Sequence, residues 1–174
     1  MDDLLLLPKS SELQELSASL GFSKVFFAED IFLLEEKNND LLFKKIREGK
    51  NKKKIVICQP TSEEQLRFLL ERNTPDVVCG IEKIHHSDSL HHLRGGLDQV
   101  LGPLAAKSGV IIAFSFSGVL NSEHRGTLLG RMRFNLKLCH KYKIKTLFCN
   151  LSKSKEEIRS KNDLEAWKRV MEKS

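Results

Sequence analysis

Residues 110–116, Val110-Ile111-Ile112-Ala113-Phe114-Ser115-Phe116, are apolar at six of seven positions. The run is too short for a core helix and shows no polar alternation. It therefore predicts a parallel strand covered on both faces. Working outward, shorter β-branched or aromatic runs occupy residues 3–7, 24–28, 55–58, 76–81 and 146–150. Helical patterns separate them at residues 12–20, 39–48, 63–73, 96–107 and 123–142, with a last one at 162–171. Ser10 and Ser11 precede the first helix, and Pro60-Thr61-Ser62 the third, as capping chemistry requires. Gly21, Gly49 and Gly109 stand where helices are expected to stop, and residues 50–54, four of them Lys, read as a solvated turn. Strands alternating with helices over short links imply a parallel α/β sheet with right-handed crossovers. Periodicity alone leaves an open doubly wound sheet and most of a barrel as alternatives.

The chain has 174 residues, 40% hydrophobic and 30% charged, which suits one domain over residues 1–174 with a substantial core. No run of about 18 apolar residues exists, and residues 1–7 (MDDLLLL) open on two acids. A membrane span and a secretory signal are thus not expected. Cys58, Cys79, Cys139 and Cys149 each sit in an apolar run with no CxxC spacing. They read as small buried hydrophobes of a reducing, cytoplasmic compartment rather than as a disulfide frame or zinc site. Charge is lopsided. Residues 122–174 hold 14 Lys+Arg against 6 Asp+Glu, net +8, whereas residues 1–121 hold 15 against 17, net −2. A basic excess confined to one third predicts a polyanionic partner, because Lys and Arg on phosphates release counterions.

The long helix at 123–142 divides into faces at 100° per residue. Leu128, Leu129, Met132, Leu136 and Cys139 share the core arc, and Arg133, Lys137, His140 and Lys141 the adjoining one. That stripe is spaced to follow a phosphate backbone. Phe134, Leu138 and Tyr142 make a second apolar stripe, with Arg131 between. It demands another neighbour, either the last helix near Trp167 or a partner protein.

Candidate chemistry is sparse. His85, His86, His91 and His92, with Glu82 and Asp88, follow the strand at 76–81. Loops after strand ends collect sites in α/β folds, and His with carboxylate binds zinc or manganese. The other strand ends offer only Glu29, Asp30 and Asn150, so a solvated or RNA-facing loop is the other reading. The segment FSFSG at 114–118 lacks the G-x-S-x-G elbow, and no G-x-x-x-x-G-K-[ST] loop exists. Gly95-Gly96 after Arg94 suits either a phosphate cradle or a tight helix entry. Arg159 and Asp163, four apart, suit either a local ion pair or an oriented phosphate contact.

Four blocks, 95–109 (GGLDQVLGPLAAKSG), 114–120 (FSFSGVL), 125–143 (RGTLLGRMRFNLKLCHKYK) and 156–164 (EEIRSKNDL), together resemble protein component 3 of archaeal ribonuclease P. Its eukaryotic counterpart is the thirty-kilodalton subunit of the same particle. The blocks keep the family's order, and a looser match covers nearly the whole chain. The resemblance implies a TIM-like β/α barrel of mostly parallel strands. Relatives of that barrel include the metal-dependent polymerase-and-histidinol-phosphatase enzymes, whose metal ligands the family lacks. Because relatives continue with a further strand and helix, the resemblance implies either a barrel reduced or open at the C-terminus or one that a partner completes.

The resemblance also implies a subunit of the holoenzyme that removes 5′ leaders from precursor tRNA. The RNA would carry the chemistry with Mg²⁺, and this chain would have no catalytic residue, metal or cofactor of its own. Its partners would be ribonuclease P RNA, precursor tRNA within the particle, and protein component 2 in a two-plus-two assembly. Carried over by position, Arg94, Arg125, Arg131, Lys141 and Arg159 are RNA contacts, joined by Arg133 and Lys137 of the basic stripe. Gly96, Asp98 and Asp163 orient them, and Phe134, Leu138 and Tyr142 form a candidate partner surface. Ser117 stands where many relatives have Arg, removing one expected contact. The alternative is a metal-dependent phosphoesterase using the histidines of residues 85–92.

Overall fold

The computed structural model describes residues 2–71, 75–89 and 93–173. Its elements, in chain order, are β1 (Asp2–Leu4), α1 (Ser11–Ser19), β2 (Lys24–Phe26), β3 (Ile31–Leu34), α2 (Asn39–Asn51), β4 (Ile55–Cys58), α3 (Glu63–Glu71), β5 (Val77–Cys79), α4 (Leu101–Ser108), β6 (Ile111–Ser115), α5 (Phe116–Leu120), α6 (Arg125–Tyr142), β7 (Lys145–Cys149) and α7 (Lys161–Glu172). Five strands pair in the order β3-β4-β5-β6-β7, and β1 pairs with β2; every ladder is parallel. A bridge between Leu5 and Ser152 joins the two sheets, with Leu6 N–H donating to Ser152 O at 2.9 Å and Leu151 N–H to Leu4 O at 2.8 Å. Neighbours therefore run β3-β4-β5-β6-β7-β1-β2.

Strand alternation explains the layers. Ile112, Phe114, Val78 and Phe148 point outward into the cluster made with α3, α4 and α6. Ile111, Ala113, Val77, Cys79, Leu147 and Cys149 point the other way, where they meet Leu4, Phe26, Ile31 and Ile57. All seven strands thus feed one inner cluster, as in a curling sheet. It opens at the strands' N-terminal ends into a cavity of about 980 Å³.

The expected barrel needs one correction. No ladder joins β2 to β3 among the described residues, so the seam lies near the N-terminus instead of after the last helix. The intervening turn explains it: Asp30 N–H bonds Phe27 O at 2.9 Å, Asp30 Oδ2 accepts from Phe27 N–H at 3.1 Å, and Asp30 O takes Ile55 N–H of β4 at 2.8 Å. The chain leaves β2 through these bonds and enters β3 beside β4. Strand β3 and helix α5 are also additions, since neither segment was expected to be regular. The four thiols are buried in these clusters, as expected, and burial pushes Cys58, Cys79 and Cys139 up to about 12.

Gly49 does not end α2. The helix runs on to Asn51 and is closed by Lys53 at φ 54°. Gly49 is glycine because a Cβ there would lie 2.6 Å from the Phe32 ring and 2.8 Å from Val56 Cγ2. Alanine would gain about 1 kcal/mol of helix propensity, but overpacking of this kind costs about 1–3 kcal/mol. Gly49→Ala is therefore expected to lower the midpoint of thermal unfolding followed by circular dichroism; a raised midpoint would contradict this packing.

Candidate nucleic-acid interface

Helix α6 carries most of the expected contacts, and its 18 residues span about 27 Å at the usual helical rise. Leu128, Met132, Leu136 and Cys139 are buried against the sheet, as the face reading predicts. On the adjoining arc Lys137, His140 and Lys141 are exposed and Arg133 is half-buried. Arg133 and Lys137 flank a shallow surface pocket with Leu93, Gly130 and Phe134, and neither side chain has a hydrogen bond or ion pair among the described residues. Lys141 lies 5.2 Å from the Tyr142 ring centroid, and His140 3.5 Å from a Glu172 carboxylate oxygen. Arg94 and Arg125 are exposed, though Arg125 donates to Leu120 O at 2.6 Å.

Arg131 is not on this surface. It is 4% exposed: its Nε donates to Asp88 Oδ1 at 2.9 Å, and its Nη1 donates to Glu82 O at 3.0 Å and His85 O at 2.6 Å. The guanidinium clamps the loop after β5 onto α6 through Nε and Nη1, so the expected member of the exposed basic set is corrected to a buried internal tie. Asp88 also accepts from Arg94 N–H at 2.8 Å, and these bonds hold its carboxyl below the usual range.

The second apolar stripe has neighbours within the chain. Leu138 and Tyr142 pack on the main core, the Tyr142 ring lies against Gly102 of α4, and Phe134 lies against Gly95. All three are half-buried, and these contacts are with their own chain. Trp167 of α7 instead sits edge-on to Phe148 at 5.0 Å and Phe116 at 5.5 Å.

Gly96 has φ 97°, and a Cβ there would collide with Ile81 O. The Gly95-Gly96 pair is a tight entry and no cradle: Asn135 Nδ2 donates to Gly95 O at 2.6 Å, and its Oδ1 accepts Leu97 N–H at 3.3 Å. Asp98 Oδ1 then accepts from Val100 and Leu101 N–H at 2.8 and 2.6 Å, capping α4. Asp163 forms a capping box with Ser160 at the start of α7, and those bonds, more than the charge of Arg159, lower its pKa. Arg159 makes no ion pair with it; the guanidinium stacks 5.4 Å from the Phe116 centroid and donates to Glu156 O at 2.8 Å. Ser117 is buried, its Oγ donating to Leu151 O at 2.9 Å, which leaves no room for an exposed basic residue.

Sequence reasoning missed Asn135 and the pair Asp3–Asn150. Asn150 is fully buried, donating through N–H and Nδ2 to the two Asp3 oxygens at 2.8 and 2.6 Å. Its Oδ1 accepts Arg159 N–H at 2.8 Å, so it also places Arg159. The signal was an acid opening the apolar run at residues 3–7 and an Asn closing the run at 146–150.

For the metal alternative, His85 is tied to Glu63 at 2.6 Å, and His91 and His92 lie outside the described residues. Among the described residues no three His, Cys, Asp or Glu side chains are placed to hold a metal.

No protein-family model and no curated protein matches the chain. A chain of the cryo-EM structure of archaeal ribonuclease P with mature tRNA is similar over 98% of this chain and 73% of that one, with TM-score 0.68 and 20% identity. That likeness shows the fold. A crystal structure of an uncharacterized protein aligns at TM-score 0.50 and 8% identity, over 82% of this chain and 39% of that one.

Glu82 gives a pH test of the Arg131 clamp's floor. It is 1% exposed, and burial pushes its carboxyl up to about 7. A folded-state pKa above the unfolded one means stability is full below about 4.5 and is lost as pH rises through about 7, by up to about 3 kcal/mol. Glu82→Gln is expected to unfold at a higher temperature than the parent at pH 8 and at a similar one at pH 5. A gap that does not grow with pH would contradict the burial of an ionisable group here.

Proposed function

We propose that this chain is a protein subunit of ribonuclease P, the counterpart of archaeal protein component 3, and acts electrostatically rather than catalytically. The observation that carries the reading is the likeness in fold, over 98% of the chain, to a chain of an archaeal ribonuclease P particle. The four ordered sequence blocks support it independently, as does a basic excess on one third of the chain with Arg133 and Lys137 unpaired on α6.

Long-range Coulomb attraction and counterion release favour a polyanion at such a surface. Arg133, Lys137 and Lys141 share one arc of α6, and Leu93, the neighbour of Arg94, lines the same surface pocket as Arg133 and Lys137. Side chains spaced over a helix match repeated phosphates better than one small anion. Arg131 and Asn135 act as positioning residues that hold the loop bearing Arg94 against α6, and Asp98 turns the chain into α4. In this role the chain neutralises phosphates where the folded catalytic RNA crowds them, and lowers the Mg²⁺ the RNA needs. Mg²⁺ belongs to the RNA, which cleaves the 5′ leader of precursor tRNA in the cytoplasm. Protein component 2 is the protein partner, in a two-plus-two assembly.

The test is cleavage of precursor tRNA at limiting Mg²⁺ by the source's ribonuclease P RNA with protein component 2, with and without this chain. The expected result is a faster rate only when both proteins are present. An unchanged rate, with hydrolysis of a phosphate ester by the chain and Mn²⁺, would replace this reading with the phosphoesterase one.

A further inference from the structure

The cavity between the loop after β5 and the start of α6 has about 420 Å³ and is lined by Lys83, His86, Ser122, His124, Thr127 and Arg131, among others. Two features there stand unexplained by the fold. Helix α6 begins at His124 with no side-chain cap and no acidic residue in its first turn, although it is the longest helix described. Ser10, Asn38 and Ser160 cap α1, α2 and α7. Second, Arg131, 4% exposed, leaves its Nη2 buried with no hydrogen-bond partner among the described residues. A buried guanidinium N–H without an acceptor is costly, and helix N-terminal N–H groups favour an anion. His124, Thr127 and Arg131 fall three and four residues apart, so they share one helix face.

We propose that this cavity binds one phosphate group, with Arg131 Nη2, the Thr127 hydroxyl and the first-turn N–H groups of α6 as donors. Lys83 adds positive charge at its rim, and the His86 and His124 rings add polar nitrogens. Glu82, also a lining residue, has its Oε2 buried without a hydrogen-bond partner among the described residues. As a neutral acid it donates an O–H to the anion, and as a carboxylate it opposes binding. Asp88 is already neutralised by Arg131. The assignment stands on this geometry and does not depend on the ribonuclease P reading. The group can come from an RNA backbone or from a phosphomonoester, which share the same donors.

The test titrates sulfate, whose charge is constant near neutrality, into the full chain and follows amide shifts of residues 125–128. Saturable one-to-one binding is expected. His124→Asp supplies a carboxylate cap in the anion's place, so affinity should fall by about tenfold or more while thermal stability holds or rises. Glu82→Gln should bind sulfate several-fold more tightly at pH 8. No saturation, an unaltered His124→Asp, or weaker binding by Glu82→Gln would each overturn the proposal. Competition separates the sources: displacement by a short single-stranded RNA assigns a backbone phosphate, displacement by uridine 5′-monophosphate alone assigns a monoester, and displacement by neither counts against a phosphate site.

Discussion

Asp3 on β1 and Asn150 just past β7 meet in the interior, and the joining of the β1-β2 ladder to the five-stranded sheet rests on that pair. Burial pushes the Asp3 carboxyl up while the Asn150 bonds pull it down, with burial the larger. A buried carboxylate is tolerated only where its oxygens are satisfied, and Asn150 satisfies both. Without the pair, the β1-β2 ladder would hang from the five-stranded sheet by the Leu5–Ser152 bridge and its neighbouring bonds. The same Asn150 grips the backbone of Arg159 on both its N–H and C=O, so fold closure and the placing of a basic side chain share one residue.

Helix α6 is the second organising element, and it divides its circumference among three tasks. Leu128, Met132, Leu136 and Cys139 bury against β6 and β7. Arg131 and Asn135 hold two loops by hydrogen bonds to backbone. Arg133 and Lys137 remain for solvent or a polyanion. The loops so held carry Arg94 and the helix entry at Asp98, which makes the basic surface a consequence of internal polar ties.

Strands β4 to β7 were legible because parallel strands buried on both faces leave near-continuous apolar runs. Strand β3 was not, since its four residues follow two acids and lie only four residues after β2, so the two runs blur. Gly49 read as a helix stop because sequence shows that a residue lacks a side chain but not that Phe32 and Val56 need the space. The core and basic arcs of α6 followed from 100° periodicity alone. Arg131 and Tyr142 did not, because their partners, Asp88 and Gly102, lie 43 and 40 residues away in sequence. A helical wheel ranks positions by angle, and cannot see which distant loop arrives to cover them. Asn150 appeared only as a weak metal candidate; its role needs Asp3, 147 residues earlier.

The central claim is that unpaired cations along α6 carry RNA affinity. The direct measurement is the salt dependence of binding to ribonuclease P RNA by the parent chain and by the triple variant Arg133→Glu, Lys137→Glu, Lys141→Glu. Each phosphate contact contributes about 0.7–0.9 to the slope of log affinity against log salt. The account predicts that the triple variant flattens the slope by about 2 or more, with the fold intact by circular dichroism. An unchanged slope in a folded variant would put the RNA on another face and contradict the account.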